Sequence, residues 1–342
     1  MDGDLRATIV GFLGALVVLG ALFWFVGIGD VLTILAGART SVLVGVGLVA
    51  IAWLSAWGLS LRTVLGALGA TITAPMAVLV YAAATFANNV TPFGQAGGEP
   101  ISALLISRAS RSEYETGLAA IASVDALNFV PSTMLALVGV SYFAATITLG
   151  RQLEFAAAAV VGIAIALPVG AFLGWRHRYD IEARAIEVLT PLFQGVGRLV
   201  PWRSPPEASA LEARIEGFFT SVDRVAGNRE ALALALGFSL LGWIGLAISL
   251  WLSLFALGIT TAFAAVLVVI PVGAIAGITP LPGGLGGVEF VLVTLLVATT
   301  GVDLATATAA VTIHRGATYM LPTIVGGGTA AALGVTRRNS KA

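Results

Sequence analysis

The sequence predicts an all-α polytopic membrane protein: an inverted repeat with two re-entrant helical hairpins and about six full spans. Three observations predict it. Hydrophobic residues make up 58% of the chain and charged ones 11%, with a mean hydropathy of +0.98, whereas soluble domains carry about 25% charged residues. Apolar runs of spanning length recur along the 342 residues. An eight-residue pattern also occurs twice in apolar surroundings, as Pro92-Phe93-Gly94-Gln95-Ala96-Gly97-Gly98-Glu99 and as Pro282-Gly283-Gly284-Leu285-Gly286-Gly287-Val288-Glu289. The two copies agree at the first, third, sixth and eighth positions, 190 residues apart. A carboxylate behind a Gly/Pro break, once in each half, points to paired broken helices around a transport site.

Full spans are predicted over 7–28, 41–60, 117–147, 152–175, 231–256 and 304–335. The first is longer than a signal-peptide core and lacks a cleavage site, so it reads as a retained span. Stretches 75–90 and 101–107 flank the first motif, and 262–278 and 290–299 flank the second. These arms are short for a crossing. Each divided stretch therefore reads as a hairpin that dips to mid-membrane and returns, around 75–108 and around 262–299. The chain divides into a membrane repeat over 1–175, a connector over 176–230 and a second repeat over 231–342.

Basic residues in short loops favour the cytoplasm. With 176–230 inside, Arg62, Arg108 and Arg111 are also inside, only Arg39 and Arg151 are outside, and Arg337, Arg338 and Lys341 return to the cytoplasm. The N-terminus is then cytoplasmic too, in a multi-pass protein of the plasma membrane. The same counting opens the first hairpin from inside and the second from outside, as an inverted repeat requires. The connector carries eight arginines and eight carboxylates. Within it Leu211, Ile215, Phe218, Val222 and Val225 form one helical stripe, with Glu212, Glu216, Asp223 and Arg224 off it. Such a helix either lies on the leaflet or packs on the spans as a connector, and the second reading is preferred.

Chemistry must reside in the polar groups inside the membrane. An ionised carboxylate in the bilayer core costs about 3 kcal/mol on insertion scales, so Glu99 and Glu289 need a polar interior or a partner. Each is placed just ahead of an apolar arm, where it could serve only as an anionic helix cap. An uncharged cap would do that without the charge cost. The tip glycines Gly94, Gly97, Gly98, Gly283, Gly284, Gly286 and Gly287, with Pro92 and Pro282, permit exposed backbone that lines a wet cavity. Asn88 and Asn89 precede the first tip, and Asp125 shares a helix face with Asn128. Arg315 is a countercharge for Glu99, Glu289 or Asp125, or a ligand for a phosphate headgroup. His314 beside it is more often a packed polar residue than a proton relay, and two histidines in the chain make no convincing metal site.

Nucleophile-elbow, Walker and His-Glu-x-x-His motifs do not occur, so the sequence predicts neither an enzyme nor an ATP-driven pump. No cofactor is expected. A formal net charge of zero argues against nucleic acid. The absence of cysteine excludes disulfide and thiol chemistry.

The runs Asn89 to Glu99 and Pro280 to Glu289, followed by Arg315-Gly316, Pro322 and Gly326, resemble the flippase-like membrane region of lysylphosphatidylglycerol synthases. The resemblance covers essentially the whole chain, and the second Gly/Pro motif is its most specific part. It implies a stand-alone member without the soluble synthase domain, moving an aminoacylated, polyprenyl-linked or other anionic lipid between leaflets. Membrane lipids are then the expected partners. A lipid-modifying or glycosyl-transfer enzyme and a second copy of the chain are further candidates. Two alternatives stand beside this: a proton-coupled carrier of a small soluble solute, and a non-transporting membrane partner of a lipid-modifying enzyme.

Overall fold

The computed structural model describes residues 2–91, 95–146, 208–279 and 281–339, with scattered positions between 158 and 187. Every regular element among them is helical. The first half comprises α1 (Asp2–Val26), α2 (Ile28–Ala36), α3 (Thr40–Ala67), α4 (Ala74–Val90), α5 (Gln95–Ser110) and α6 (Tyr114–Thr146). After the connector helix α7 (Ala208–Gly227) come α8 (Arg229–Ala256), α9 (Phe263–Ile275), α10 (Gly287–Thr300), α11 (Leu304–Arg315) and α12 (Leu321–Asn339). Two 3-10 turns, Ala276–Ile278 and Pro282–Gly284, lie between α9 and α10, and a π-helical turn, Gly316–Met320, joins α11 to α12.

The helix bounds repeat along the chain. α8 begins and ends 189 residues after α3 (40 to 229, 67 to 256), and α9 begins 189 after α4 (74 to 263). Local chemistry sets several of these ends. Pro75 sits in the first turn of α4, where its missing N–H is no loss. Asn228 caps α8 by accepting from the Ala231 N–H at 3.1 Å. Asp303 caps α11, accepting from the Thr306 N–H at 2.9 Å and the Thr306 hydroxyl at 2.7 Å. These bonds from Thr306 hold the Asp303 carboxyl below its ordinary pKa.

α3 and α8 form the central pair. The Trp57 indole donates to the Ser239 carbonyl at 3.2 Å and the Ser60 hydroxyl to the Ala235 carbonyl at 3.2 Å. Small residues opposite admit the bulky ones: a Cβ on Gly242 would overlap the Trp57 ring, and one on Gly245 would lie 3.1 Å from Trp53 Cβ. Each half builds its own apolar core around this pair. One core takes Leu61, Leu65, Val80, Ile106, Ile121 and Val124; the other takes Leu250, Leu254, Val266, Val269, Leu292 and Leu296. Trp57 touches both. Large apolar side chains stay exposed on the outer faces, among them Val17 at 70%, Leu48 at 63% and Ile324 at 68%. Such exposure would promote aggregation in water but faces lipid in a membrane.

Among the described residues, four stretches are long and apolar enough to cross a bilayer: α3, α6, α8 and Pro282–Thr300, which contains α10. A fifth is counted if α1 and α2, bent by 82°, make one broken span. The bend falls at Gly27, whose φ of 92° breaks the helix. This differs from six full spans for stated reasons. Segment 304–335 is divided by the π turn, and 152–175 lies largely outside the described residues. The second arm of the second divided stretch is also longer than 290–299, because Gly287, Val288 and Glu289 join the helix. The connector stripe packs inward. Ile215 and Val225 are buried, and Phe218 and Val222 lie against the first-half core, while Glu216, Asp223 and Arg224 are exposed.

Close backbone approach requires glycine at several positions, Gly58 and Gly326 among them. A Cβ on Gly58 would lie 2.6 Å from Val78 Cα, and one on Gly326 would overlap the Ala82 carbonyl, whereas Gly47 has open space. Gly58→Ala and Gly326→Ala should each destabilise by about 1–3 kcal/mol through overpacking. Thermal melting in detergent checks this, with Gly47→Ala expected at or slightly above the native value.

Candidate functional site

The second motif folds as a tight tip locked by one ion pair. Glu289, at the third position of α10, turns back so that its Oε2 accepts from the Gly286 N–H at 2.6 Å. This is the return half of a capping box; Gly286 has no side chain to supply the other half. Oε1 of the same carboxylate accepts from Arg315 Nε at 2.6 Å. Arg315 Nη2 donates to the Gly283 carbonyl at 3.3 Å, and the guanidinium carbon lies 4.8 Å from the Tyr319 ring centre. One arginine at the end of α11 thus holds both ends of the 283–289 tip. The two side chains are only 18% and 9% exposed. Removing one member of such a buried pair costs about 3–5 kcal/mol, because the other charge is left uncompensated.

Backbone conformation makes the tip possible. Gly283 and Gly286 have φ of 58° and 86°, which disfavours any residue with a Cβ. At Gly283 a Cβ would also meet the Tyr319 ring and Asn89 Oδ1. The π turn after Arg315 places Tyr319 under the guanidinium while its hydroxyl donates to the Asn89 carbonyl at 3.0 Å. Asn89 Nδ2 donates to Thr323 Oγ1 at 2.8 Å, joining α4 to α12. π turns inside α-helices are frequent at functional sites. His314 is 4% exposed, with Nδ1 2.9 Å from the Ser249 hydroxyl of α8. Among the described residues no group of His, Asp or Glu could hold a metal.

A cavity of about 210 Å³ opens against this tip, lined by Trp53, Trp243, Asn89, His314, Arg315 and Tyr319 among others. Trp53 and Trp243 are 5% and 8% exposed, and neither indole N–H has a partner. A buried donor left unpaired costs about 1–3 kcal/mol. Two other indoles among the described residues are satisfied: Trp57 donates to the Ser239 carbonyl and Trp251 to the Thr261 carbonyl. Trp53 and Trp243 were not singled out from sequence. Their spacing of 190, that of the two motifs, would have found them.

The first half is built differently. α5 starts at Gln95, so Glu99 lies within the helix rather than just ahead of it, because Gln95 to Gly98 join the helical run. No described residue hydrogen-bonds its carboxylate. Asp125, on α6, lies within electrostatic reach of Glu99, and its Oδ2 is buried without a partner. Asn128, one turn on, accepts from the Ser239 hydroxyl. Asn88 and Asn89 diverge. Asn89 faces the cavity, while Asn88 lies against Gly98, where any Cβ would overlap it, with its Oδ1 buried and unpartnered. Gly97 belongs to α5; Pro282 and Gly284 are buried in the second tip, and Gly287 begins α10. Pro92 and Gly94 lie outside the described residues. Asp125 precedes Arg315 by 190 residues, as Glu99 precedes Glu289. The second half therefore pairs acid with base where the first places acid near acid. The structure brings Arg315, His314 and Asn89 to one cavity, with Glu289 bonded to Arg315 outside its lining, and leaves Glu99, Asp125 and Asn88 in a separate group.

Apolar helices of spanning length, lipid-facing side chains and a buried ion pair at a helix break define a multi-pass integral membrane protein. The chain belongs to the lysylphosphatidylglycerol synthase TM region family, whose pattern matches residues 9–326. It is 25% identical over 339 residues to a UPF0104 membrane protein of Methanothermobacter thermautotrophicus, covering 94% of this chain and 92% of that protein. It is 26% identical over 233 residues to a second UPF0104 membrane protein of that organism, covering 67% of this chain and 66% of the relative.

Arg315→Lys keeps the charge but loses the planar fork that reaches Glu289 and Gly283 together, as well as the stacking on Tyr319. It should lower the melting temperature clearly in detergent. Tyr319→Phe removes only the bond to Asn89, a loss of about 1 kcal/mol, and should lower the same melting temperature less.

Proposed function

We propose that this protein moves the headgroup of an anionic lipid between leaflets, the headgroup crossing through the interior while the acyl tails stay in the bilayer. The observation that carries this reading is the cavity beside Arg315. Its volume of about 210 Å³ is below the roughly 300–1,000 Å³ of drug-sized ligand pockets, so it suits a headgroup and not a whole lipid. Membership of a family named for a lipid synthase's membrane region supports the same substrate class.

The two divided stretches read as re-entrant hairpins of an inverted repeat. The common offset of 189 between helix bounds supports a repeat. So does the packing, in which α4 lies on α12 much as α9 lies on α6. α1 lies across the second tip, with Leu281 against Gly14 and Gly286 against Val18, and would form the side through which lipid enters. With the connector and both termini inside, the protein would be a plasma-membrane transporter with no enzymatic step. Lipids would be its main partners, with a lipid-modifying or glycosyl-transfer enzyme supplying or consuming them. A proton-coupled carrier of a soluble solute is a second reading, favoured by Asp125, a half-buried carboxylate beside Glu99, with no cation among the described residues bonded to either.

Headgroup translocation in proteoliposomes tests the proposal, using labelled aminoacylated, anionic and polyprenyl-phosphate lipids. Native protein should move one class at least tenfold faster than Glu99→Gln or Glu289→Gln variants. Transport of a soluble solute without lipid movement would support the carrier. Inertness toward both, by well-folded protein, would leave a non-transporting partner.

A further inference from the structure

We propose that α1 is a flap over the second tip, hinged at Gly27 and opening toward the lipid. Gly27 stands between α1 and α2, which meet at 82°, with φ and ψ both at 92°. Its N–H donates to the Phe23 carbonyl at 3.0 Å and so closes α1. Its carbonyl accepts from the Asp30 and Val31 N–H groups at 3.1 and 3.2 Å and so begins α2. Turning about the two backbone dihedrals of Gly27 therefore changes the angle between the helices and breaks none of these bonds. Hinged closure is built on such element-terminal residues, and glycine alone adopts this φ freely.

The two sides of the hinge are held unequally. α2 lies along α11 and buries Val31 completely. Just past its end the Arg39 N–H donates to the Ala256 carbonyl at 3.0 Å, and the Arg39 guanidinium carbon lies 5.3 Å from the Phe255 ring centre, which ties α2 to α8 as well. α1 has no such tie. Among its described side chains, 13–26, Ala15 alone is buried and none makes a hydrogen bond or an ion pair, while Leu16, Trp24 and Phe25 are exposed. Its contact with the tip is close but wholly apolar: Gly14 lies against Leu281, and Val18 lies where any Cβ on Gly286 would overlap it. Lipid tails are as apolar as leucine, so parting this contact exchanges one apolar neighbour for another at little cost. The tip beneath is held by its own ion pair and does not need α1 to keep its shape. The turn that α1 covers supplies Gly283 to the cavity lining, so the swing of α1 uncovers a wall of the cavity. The flap rests on the lipid reading only for what passes it.

The chain has no cysteine, so introduced pairs react alone. Gly14→Cys with Leu281→Cys, joined in proteoliposomes by a short bis-methanethiosulfonate, fixes α1 on the tip. Joining should abolish headgroup translocation and reduction should restore it, while the single-cysteine variants treated alike keep the native rate. Double electron–electron resonance in lipid nanodiscs supplies a readout that needs no transport. Spin labels on Leu16→Cys and Phe290→Cys, both at exposed positions, should give two distances, and labels on Leu32→Cys and Phe290→Cys one. A single narrow distance for the Leu16 pair would overturn the flap. Full translocation by the joined protein would overturn it too and leave lipid transport standing. Two distances in a protein that moves no lipid would uphold the flap and count against the lipid reading instead.

Discussion

The buried ion pair between Glu289 and Arg315 is the interaction on which the rest of the site depends. Within apolar segments neither charge has water to fall back on, so each must be satisfied by the other and by backbone. Glu289 divides its two oxygens between Arg315 and the Gly286 N–H, and Arg315 adds the Gly283 carbonyl. The glycine run between α9 and α10 is thereby held by one residue of α10 and one of α11. The position of Arg315 in turn places Tyr319 and, through its hydroxyl, Asn89 of α4. The cavity wall is therefore assembled from both halves of the chain around one carboxylate.

Its opposite wall depends on the α3–α8 pair. Small residues on α8 let the tryptophans of α3 lie close, and the Trp57 bond to Ser239 fixes the spacing of the two helices. The same contact leaves Trp53 and Trp243 on the cavity side with their N–H groups unused. Tight packing and two buried, unpartnered indole nitrogens thus come from one interface.

Much of this was legible in the sequence because it follows from spacing. The second Gly/Pro motif located the tip ahead of α10, apolar runs located α3, α6 and α8, and the stripe from Ile215 to Val225 marked the buried face of the connector helix. The motif resemblance indicated the family to which the chain belongs. Other features depend on tertiary geometry. Three acids were available to Arg315, and only the fold brings Glu289 to it. The π turn at Gly316–Met320 has no signature in residue type, so 304–335 read as one span. Whether an indole is satisfied depends on which carbonyl faces it across a helix pair, so Trp53 and Trp57, one turn apart, were indistinguishable before folding.

A double-mutant cycle on Glu289→Gln and Arg315→Gln, read by thermal and denaturant unfolding of the protein in detergent, tests the central claim most directly. If the pair locks the tip, each single change should be strongly destabilising, and the double change much less so than the sum of the two. That coupling energy should be at least about 2 kcal/mol. Additive effects, with coupling near zero, would mean that the two charges are satisfied independently and that the tip is held by something other than this pair.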